Sequence, residues 1–146
     1  MLSSLILLFA FALPTASPAA AKDVIIWPNG VPPQGIHHKD NFGTHAIFIS
    51  HREENGRAEL HENKADVIVV QSGEAMLLYG GTVIDPKPTL PHEIQGSGIR
   101  GGEKREVKAG DVIHIPAGVP HQFLLASGKQ ITYLVVKVIE PQGDTK

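Results

Sequence analysis

The sequence predicts a single all-β domain, either a sandwich or a barrel. Segments rich in β-branched residues recur along the chain, and turn signals separate them at intervals of about ten residues. The 15 glycines and 11 prolines among 146 residues are many for a helical protein, because both residue types interrupt helices. No stretch of useful length has the period of an amphipathic helix, and no internal repeat or long linker is present.

The strands and turns follow from this pattern in chain order. The predicted strands include Ala46–Ile49, Asp66–Gln71, Asp111–Ile115 and Ile131–Val138. The turn signals are Asn55-Gly56, Ser72-Gly73, Gly80-Gly81, Gly101-Gly102, Ala109-Gly110 and Ser127-Gly128. Ile84–Arg105, rich in proline and glycine, is predicted to be a long irregular connection between two halves. Within it, Pro86–Gly102 is expected either to lie near the mouth of a barrel and control access, or to be inert surface.

Charge and cysteine content exclude several classes of function. The 13 basic and 15 acidic residues give a net charge of -2, and no basic run exceeds Lys104-Arg105, so no nucleic-acid partner is expected. The chain has no cysteine, which excludes disulfides, thiol catalysis and lipidation of an N-terminal cysteine.

The first 21 residues are predicted to be a secretory signal peptide. Leu5–Leu13 is an apolar run too short to span a bilayer, and Ala19-x-Ala21 offers a cleavage site. Residues 22–146 would then form the mature domain, periplasmic or secreted and without stable membrane association. The segment before the apolar run carries no Lys or Arg, so an uncleaved anchor or a misplaced start codon remains the alternative.

Four residues have the spacing of a metal site. Glu59 and His61 are two apart, so on a strand both point to one face, and a turn followed by a strand would bring Asp66 beside them. A Pro116-x-Gly118 turn can present His121 at the start of another strand. Two imidazoles and one or two carboxylates suit a divalent first-row metal. The alternative is that the histidines only cap strands and the carboxylates are solvated.

These residues lie in two motifs that resemble those of the cupin superfamily. The second cupin motif is matched at every position: Gly110, Pro116, Gly118 and His121. The first is matched in spacing through to Gly73, but Glu59 stands where a histidine is usual and Asp66 where a glutamate is usual. The resemblance implies a single-domain jelly-roll β-barrel that holds one metal ion, with Glu59, His61, Asp66 and His121 as the candidate ligands.

The expected function is that of a small metalloenzyme acting on a small organic molecule. A dioxygenase or a lyase or isomerase is favoured by family analogy, with Fe, Mn, Ni, Cu or Zn as the metal and no catalytic residue assigned. The alternatives are a non-catalytic module that binds a metal or small ligand and a metal-free protein. Two carboxylates and two neutral imidazoles cancel the charge of a divalent ion, which predicts neutral or bidentate oxygen substrates. The expected wall residues are Phe48, Ile68, Val70, Phe123 and Tyr133.

Two further expectations concern the other histidines and assembly. His114 is expected to point outward or to support a ligand, and the remaining histidines to be solvated: His37, His38, His45, His51 and His92. Exposed edge strands predict a homodimer formed through residues between Val24 and Ile49, with Val24–Trp27 lying across the neighbour. The alternative is that Val24–Trp27 covers its own barrel.

Overall fold

A computed structural model describes residues 24–141, so the predicted signal peptide lies outside the described residues. The fold is all-β, as predicted. The strands are β1 (Lys39–Asn41), β2 (His45–Arg52), β3 (Ala58–His61), β4 (Lys64–Tyr79), β5 (Thr82–Ile84), β6 (Lys87–Leu90), β7 (Glu93–Gly96), β8 (Gly98–Arg100), β9 (Glu103–Lys108), β10 (Val112–Ile115), β11 (His121–Leu124) and β12 (Ile131–Ile139). One 3-10 turn spans Pro28–Gly30. No helix within residues 24–141 is long and apolar enough to cross a membrane.

Strand β4 organises the fold, because its 16 residues belong to two layers of one curled sheet. Its first half pairs with β12 and β10, and its second half pairs with β11 and β9. The strand order is β1-β2-β12-β4-β11-β3-β7-β6, and all these pairings are antiparallel. This arrangement is the jelly-roll type of barrel that the motif resemblance implied.

The predicted turn at Ser72-Gly73 is wrong, because β4 continues through it. Gly73 has a φ of +76°, and the pairing with β12 shifts register between Thr132 and Tyr133. A Cβ at Gly73 would lie 1.9 Å from the carbonyl oxygen of Gln130, so only glycine fits this close approach. The glycine therefore bends a continuous strand from one layer into the other.

The hydrophobic core lies between the layers. Its buried members include Ile68, Val70, Leu77, Val107, Ile115, Phe123, Ile131, Tyr133 and Val135. Alternate residues of β12 point inward, so Ile131, Tyr133 and Val135 are buried while their neighbours are only half-buried. Burying one such aliphatic side chain contributes about 1.5–3 kcal/mol, so the barrel interior supplies stability as well as a site.

The predicted irregular connection across Ile84–Arg105 is also wrong, since most of it is strand. β5 pairs with β8, while β6 and β7 extend the main sheet beyond β3. Pro88 is tolerated because β6 is the outermost strand of the sheet. On the outer side of β6 no neighbouring strand needs the N–H that proline lacks. Pro86–Gly102 was expected to lie near the mouth of the barrel. Thr89, Leu90 and Glu93 line a cavity inside the barrel, which confirms this placement for them.

The N-terminal segment Val24–Trp27 has no regular secondary structure and is not part of the sheet. Val24 is 87% exposed and Ile26 is 73% exposed, but the indole N–H of Trp27 donates to Asp40 Oδ2 at 3.1 Å. The segment is thus tethered to its own domain while its aliphatic residues face outward. The homodimer stays a prediction.

Candidate metal centre

Three cross-strand pairs supply the polar side chains inside the barrel. Glu59 of β3 lies opposite His121 of β11, and His61 of β3 lies opposite Glu93 of β7. Asp66 of β4 lies opposite Lys137 of β12. Since directly opposed residues have Cβ atoms about 4.5–5.5 Å apart on one face, antiparallel register brings these groups together from distant parts of the chain.

Two short connections fix the site, as the sequence predicts. Only Glu62 and Asn63 separate β3 from β4, so the chain returns at once and places Asp66 beside His61. The turn before β11 is anchored by the N–H of Gly118, which donates to the carbonyl of His61 at 2.8 Å. Gly118 has a φ of +77°, the left-handed conformation that glycine adopts without strain. His121 then begins β11.

The four predicted ligands converge on one point. Glu59 Oε2 lies 3.8 Å from Nε2 of both His61 and His121, and Asp66 Oδ2 lies 3.3 Å and 3.6 Å from the same two nitrogens. Glu59, His61 and His121 each offer a ligand atom within 4.8 Å of the other two. Asp66 lies outside that mutually close trio, although it contacts both histidines. Both histidines and Asp66 are buried, while Glu59 is half-buried.

Both histidines are held in the tautomer that a metal ligand needs. His61 Nδ1 is hydrogen-bonded to Glu93 Oε2, and His121 Nδ1 to the carbonyl of Val119 at 3.1 Å. A carboxylate and a carbonyl can only accept, so each Nδ1 carries a proton, and in the neutral imidazoles each Nε2 lone pair faces the centre. Glu93, which the motifs did not indicate, thereby orients His61. Lys64 holds Glu93 in turn, with Nζ 2.6 Å from Oε1.

Lys137 is a second residue that the motifs did not indicate. Its Nζ lies 2.7 Å from His61 Nε2 and 3.2 Å from Asp66 Oδ1, and its side chain is only 13% exposed. Asp66 Oδ1 is buried and accepts no hydrogen bond of good geometry, so its contact with Lys137 is electrostatic. The inward alternation of Ile131, Tyr133 and Val135 continues to Lys137, and this period of two could have identified it from sequence.

Burial and charge shift the ionisation of the centre. Burial acts to lower the pKa of His61, but Asp66 and Glu93 outweigh burial and the Lys137 charge, so the pKa is raised. Burial lowers the pKa of His121. For Asp66, burial acts to raise the pKa, but His61 and Lys137 hold it below its usual value. Burial likewise opposes ionisation of Glu93, while Lys64 and His61 lower its pKa.

The centre opens into a cavity of about 510 Å³. Four expected wall residues line it, namely Phe48, Ile68, Phe123 and Tyr133. The expectation for Val70 is wrong, because Val70 packs in the core and is not among the described residues that line the cavity. Arg52 also lines the cavity, where its Nε donates to the Tyr133 hydroxyl at 2.8 Å and its Nη2 lies 3.8 Å from Glu59 Oε1.

The remaining histidines lie outside the centre, with one partial exception. His114 is exposed, in agreement with the outward alternative. His37, His51 and His92 are exposed, and His38 is half-buried and contacts Asp40. His45 lines the cavity and stacks on Phe42, with ring centroids 4.8 Å apart, so the solvated expectation is wrong for it.

Comparison with known proteins supports the family resemblance. The family described as Cupin domain matches residues 96–137, which contain the second motif but not the first. No curated protein matches the chain. Peruvianin-I from Thevetia peruviana latex, described as a cysteine peptidase, is 14% identical over 90% of this chain and 83% of its own, with a TM-score of 0.50. At that identity the likeness concerns the fold alone, and this chain has no cysteine.

Two other solved structures are similar over a smaller part. DMSP lyase DddQ from Ruegeria pomeroyi DSS-3 is 16% identical over 68% of this chain, with a TM-score of 0.47, and the chain spans 40% of DddQ. A cupin protein from Bacteroides fragilis is 21% identical over 70% of each chain, with a TM-score of 0.44.

The jelly-roll sheet and the inward-facing His and Glu side chains define an all-β barrel protein with a candidate metal centre. Over residues 96–137, which contain the second motif, the chain is similar to the family described as Cupin domain.

Proposed function

We propose that the protein binds one divalent metal ion through Glu59, His61, Asp66 and His121 and is a small exported metalloenzyme. The observation that carries the proposal is the pair of histidines whose Nδ1 protons are committed to Glu93 and Val119, which leaves both Nε2 atoms facing two carboxylates. A strand-capping role would not require both lone pairs to converge on one point.

The spacing of the donor atoms supports a metal. Ligand bonds of about 2.0–2.2 Å place neighbouring ligand atoms roughly 3.0–3.5 Å apart around an ion. The contacts of Asp66 Oδ2 with the two histidines, 3.3 Å and 3.6 Å, fall close to this range. The 3.8 Å separations of Glu59 Oε2 from the histidines need only a small adjustment of a half-buried side chain. The mixed N and O donors suit Fe, Mn, Ni, Cu or Zn.

A metal with an open position would supply Lewis-acid or oxygen chemistry to a small organic molecule in the cavity, so we propose a dioxygenase or a lyase or isomerase reaction. The residues of this chain bind and orient the substrate. Phe48, Ile68 and Phe123 provide apolar contacts, and Tyr133 and Lys137 provide polar groups.

The second candidate is a non-catalytic module that binds a metal or small ligand. The groups near the centre that could transfer a proton to a substrate are already held by other side chains, which favours this candidate. The Tyr133 hydroxyl contacts Arg52, and the Lys137 ammonium contacts His61 and Asp66. Turnover of a substrate distinguishes the two candidates.

Elemental analysis of protein purified without a tag tests the centre, and oxygen-uptake assays then test the activity. We expect one ion per chain in the wild type and in His114→Ala, whose imidazole is exposed on β10. His61→Ala should lose most of the metal. Equal metal content in wild type and His61→Ala would refute the whole assignment. Unchanged affinity in Glu59→Ala would leave His61, Asp66 and His121 as the ligands.

A further inference from the structure

The cavity carries more positive charge than the four candidate ligands suggest. Four cationic side chains and three carboxylates line it: Lys39, Arg52, Lys64, Lys137, Glu59, Asp66 and Glu93. With neutral histidines, the lining has an excess of one positive charge, and a bound divalent ion raises that excess to three. The expectation of neutral substrates considered the ligands alone and omitted these lysines.

Three of the four cations each have a carboxylate partner. Lys64 contacts Glu93 at 2.6 Å, Lys137 contacts Asp66 at 3.2 Å, and Arg52 approaches Glu59 at 3.8 Å. These pairs largely cancel within the wall of the cavity.

Lys39 is the fourth cation, and no carboxylate among residues 24–141 lies within 4.0 Å of its ammonium. The ammonium instead lies 5.0 Å from the centroid of the Phe48 ring. Partial burial and the charges of Lys137 and Lys64 lower the pKa of Lys39. Lys39 is itself exposed, so it lies where a ligand enters.

A bound metal would weaken the neutralisation of the Lys137 charge by Asp66. Its ammonium lies among the atoms that would hold the ion, 2.7 Å from His61 Nε2. Asp66 would then be shared between two cations that repel each other. An anion that contacts both cations relieves this repulsion, whereas a neutral molecule does not.

The remaining walls limit the rest of such an anion. Phe48, Ile68 and Phe123 are apolar, and the volume of about 510 Å³ admits a small molecule only. The Lys39 ammonium and the Phe48 ring adjoin, so a charged group and an apolar portion of one ligand can be satisfied together. A carboxylate has two oxygens that two cationic centres can share.

We propose that the cavity selects small organic carboxylates with a short apolar portion, and that Lys137 and Lys39 determine this specificity. The inference rests on the proposed metal function, because the ion supplies most of the excess charge. Lys137 binds the anion next to the metal, and Lys39 attracts it at the entrance.

The test titrates butanoate and its neutral analogue butanamide into the zinc-loaded protein by calorimetry. We expect butanoate to bind at least about tenfold more tightly than butanamide, and Lys137→Met to weaken butanoate binding by about tenfold or more, the usual value of a charge-assisted contact. Lys39→Met should weaken it about threefold, as befits an exposed charge. Lys104→Met, an exposed lysine of β9 outside the cavity, is the matched control and should match the wild type.

Zinc titration of each variant separates the possible failures. A wild type that binds no zinc overturns the metal function and the inference with it. Stoichiometric zinc, combined with equal binding of butanoate and butanamide or with wild-type butanoate affinity in Lys137→Met, overturns the inference alone. Butyl phosphate, run in parallel, overturns the carboxylate assignment if it binds more tightly than butanoate.

Discussion

Replacing Lys137 with methionine should increase the affinity of the protein for a divalent metal. The ammonium now lies 2.7 Å from His61 Nε2, while a metal ligated by that nitrogen would stand about 2.1 Å from it. The two cations cannot occupy one position, so the ammonium must shift to a position beside the ion when the ion binds. Methionine keeps similar length and apolar contacts but removes the charge.

The magnitude follows from Coulomb's law. Two unit charges 4 Å apart interact by about 1 kcal/mol in water and about 4 kcal/mol near a protein surface, and a divalent ion doubles both values. Even the water value of about 2 kcal/mol corresponds to roughly a 30-fold change in the dissociation constant. We therefore expect Lys137→Met to bind zinc at least about tenfold more tightly than wild type.

The assay is a competition titration of zinc against a chromophoric chelator at neutral pH, with Lys104→Met as the control for a lost surface charge. Unfolding in urea, measured for each variant, separates a changed site from a damaged fold. Equal or weaker zinc affinity in a folded Lys137→Met protein would refute the argument that the ammonium competes with the metal. Stronger zinc binding together with weaker butanoate binding in the same variant would support both roles of Lys137.

Three other predictions follow from the same contacts. Glu93→Gln keeps the shape of the side chain but weakens the acceptor of the His61 Nδ1 proton, so it should reduce zinc affinity by about 10–100-fold. Wild-type zinc affinity in this variant would mean that His61 does not need the Glu93 carboxylate to bind the metal. Because the pKa values of Asp66 and Glu93 are lowered in the fold, their contribution to stability is complete well above the unfolded pKa values of about 4 and is lost as pH falls towards the folded values. The urea midpoint of the metal-free protein should therefore fall as the pH drops below about 4.5, and less so in Asp66→Asn; equal slopes in both proteins would contradict this. The exposed aliphatic residues of Val24–Trp27 predict a homodimer, which light scattering at micromolar concentration checks, and a monomeric mass excludes it.

The sequence by itself determined the fold class and the positions of the main strands. β-branched runs predicted the segments that became β2, β4, β10 and β12, because alternation on a pleated strand is a local property. The spacing of Glu59, His61, Asp66 and His121 predicted their proximity, since Glu59 and His61 share one strand face and short turns precede the strands that carry Asp66 and His121. Two local predictions were wrong. Gly73 was predicted to form a turn but bends a continuous strand, and the prolines after Ile84 were predicted to interrupt structure but Pro88 lies on the edge strand β6.

Only the tertiary structure decided which groups complete the centre. Glu93 reaches His61 from 32 residues away and Lys137 reaches it from 76 residues away. The period of two can show that Lys137 points inward, but no local pattern specifies the strand pairings that bring either residue to His61. Register is fixed by burial of whole strand faces and by the turns, and it then assigns each polar residue its opposite partner. The charge of the cavity depends on those partners. The four motif residues alone predicted neutral substrates, whereas the folded barrel adds Lys39, Lys64 and Lys137 to the lining, and the proposed preference for an anion rests on them.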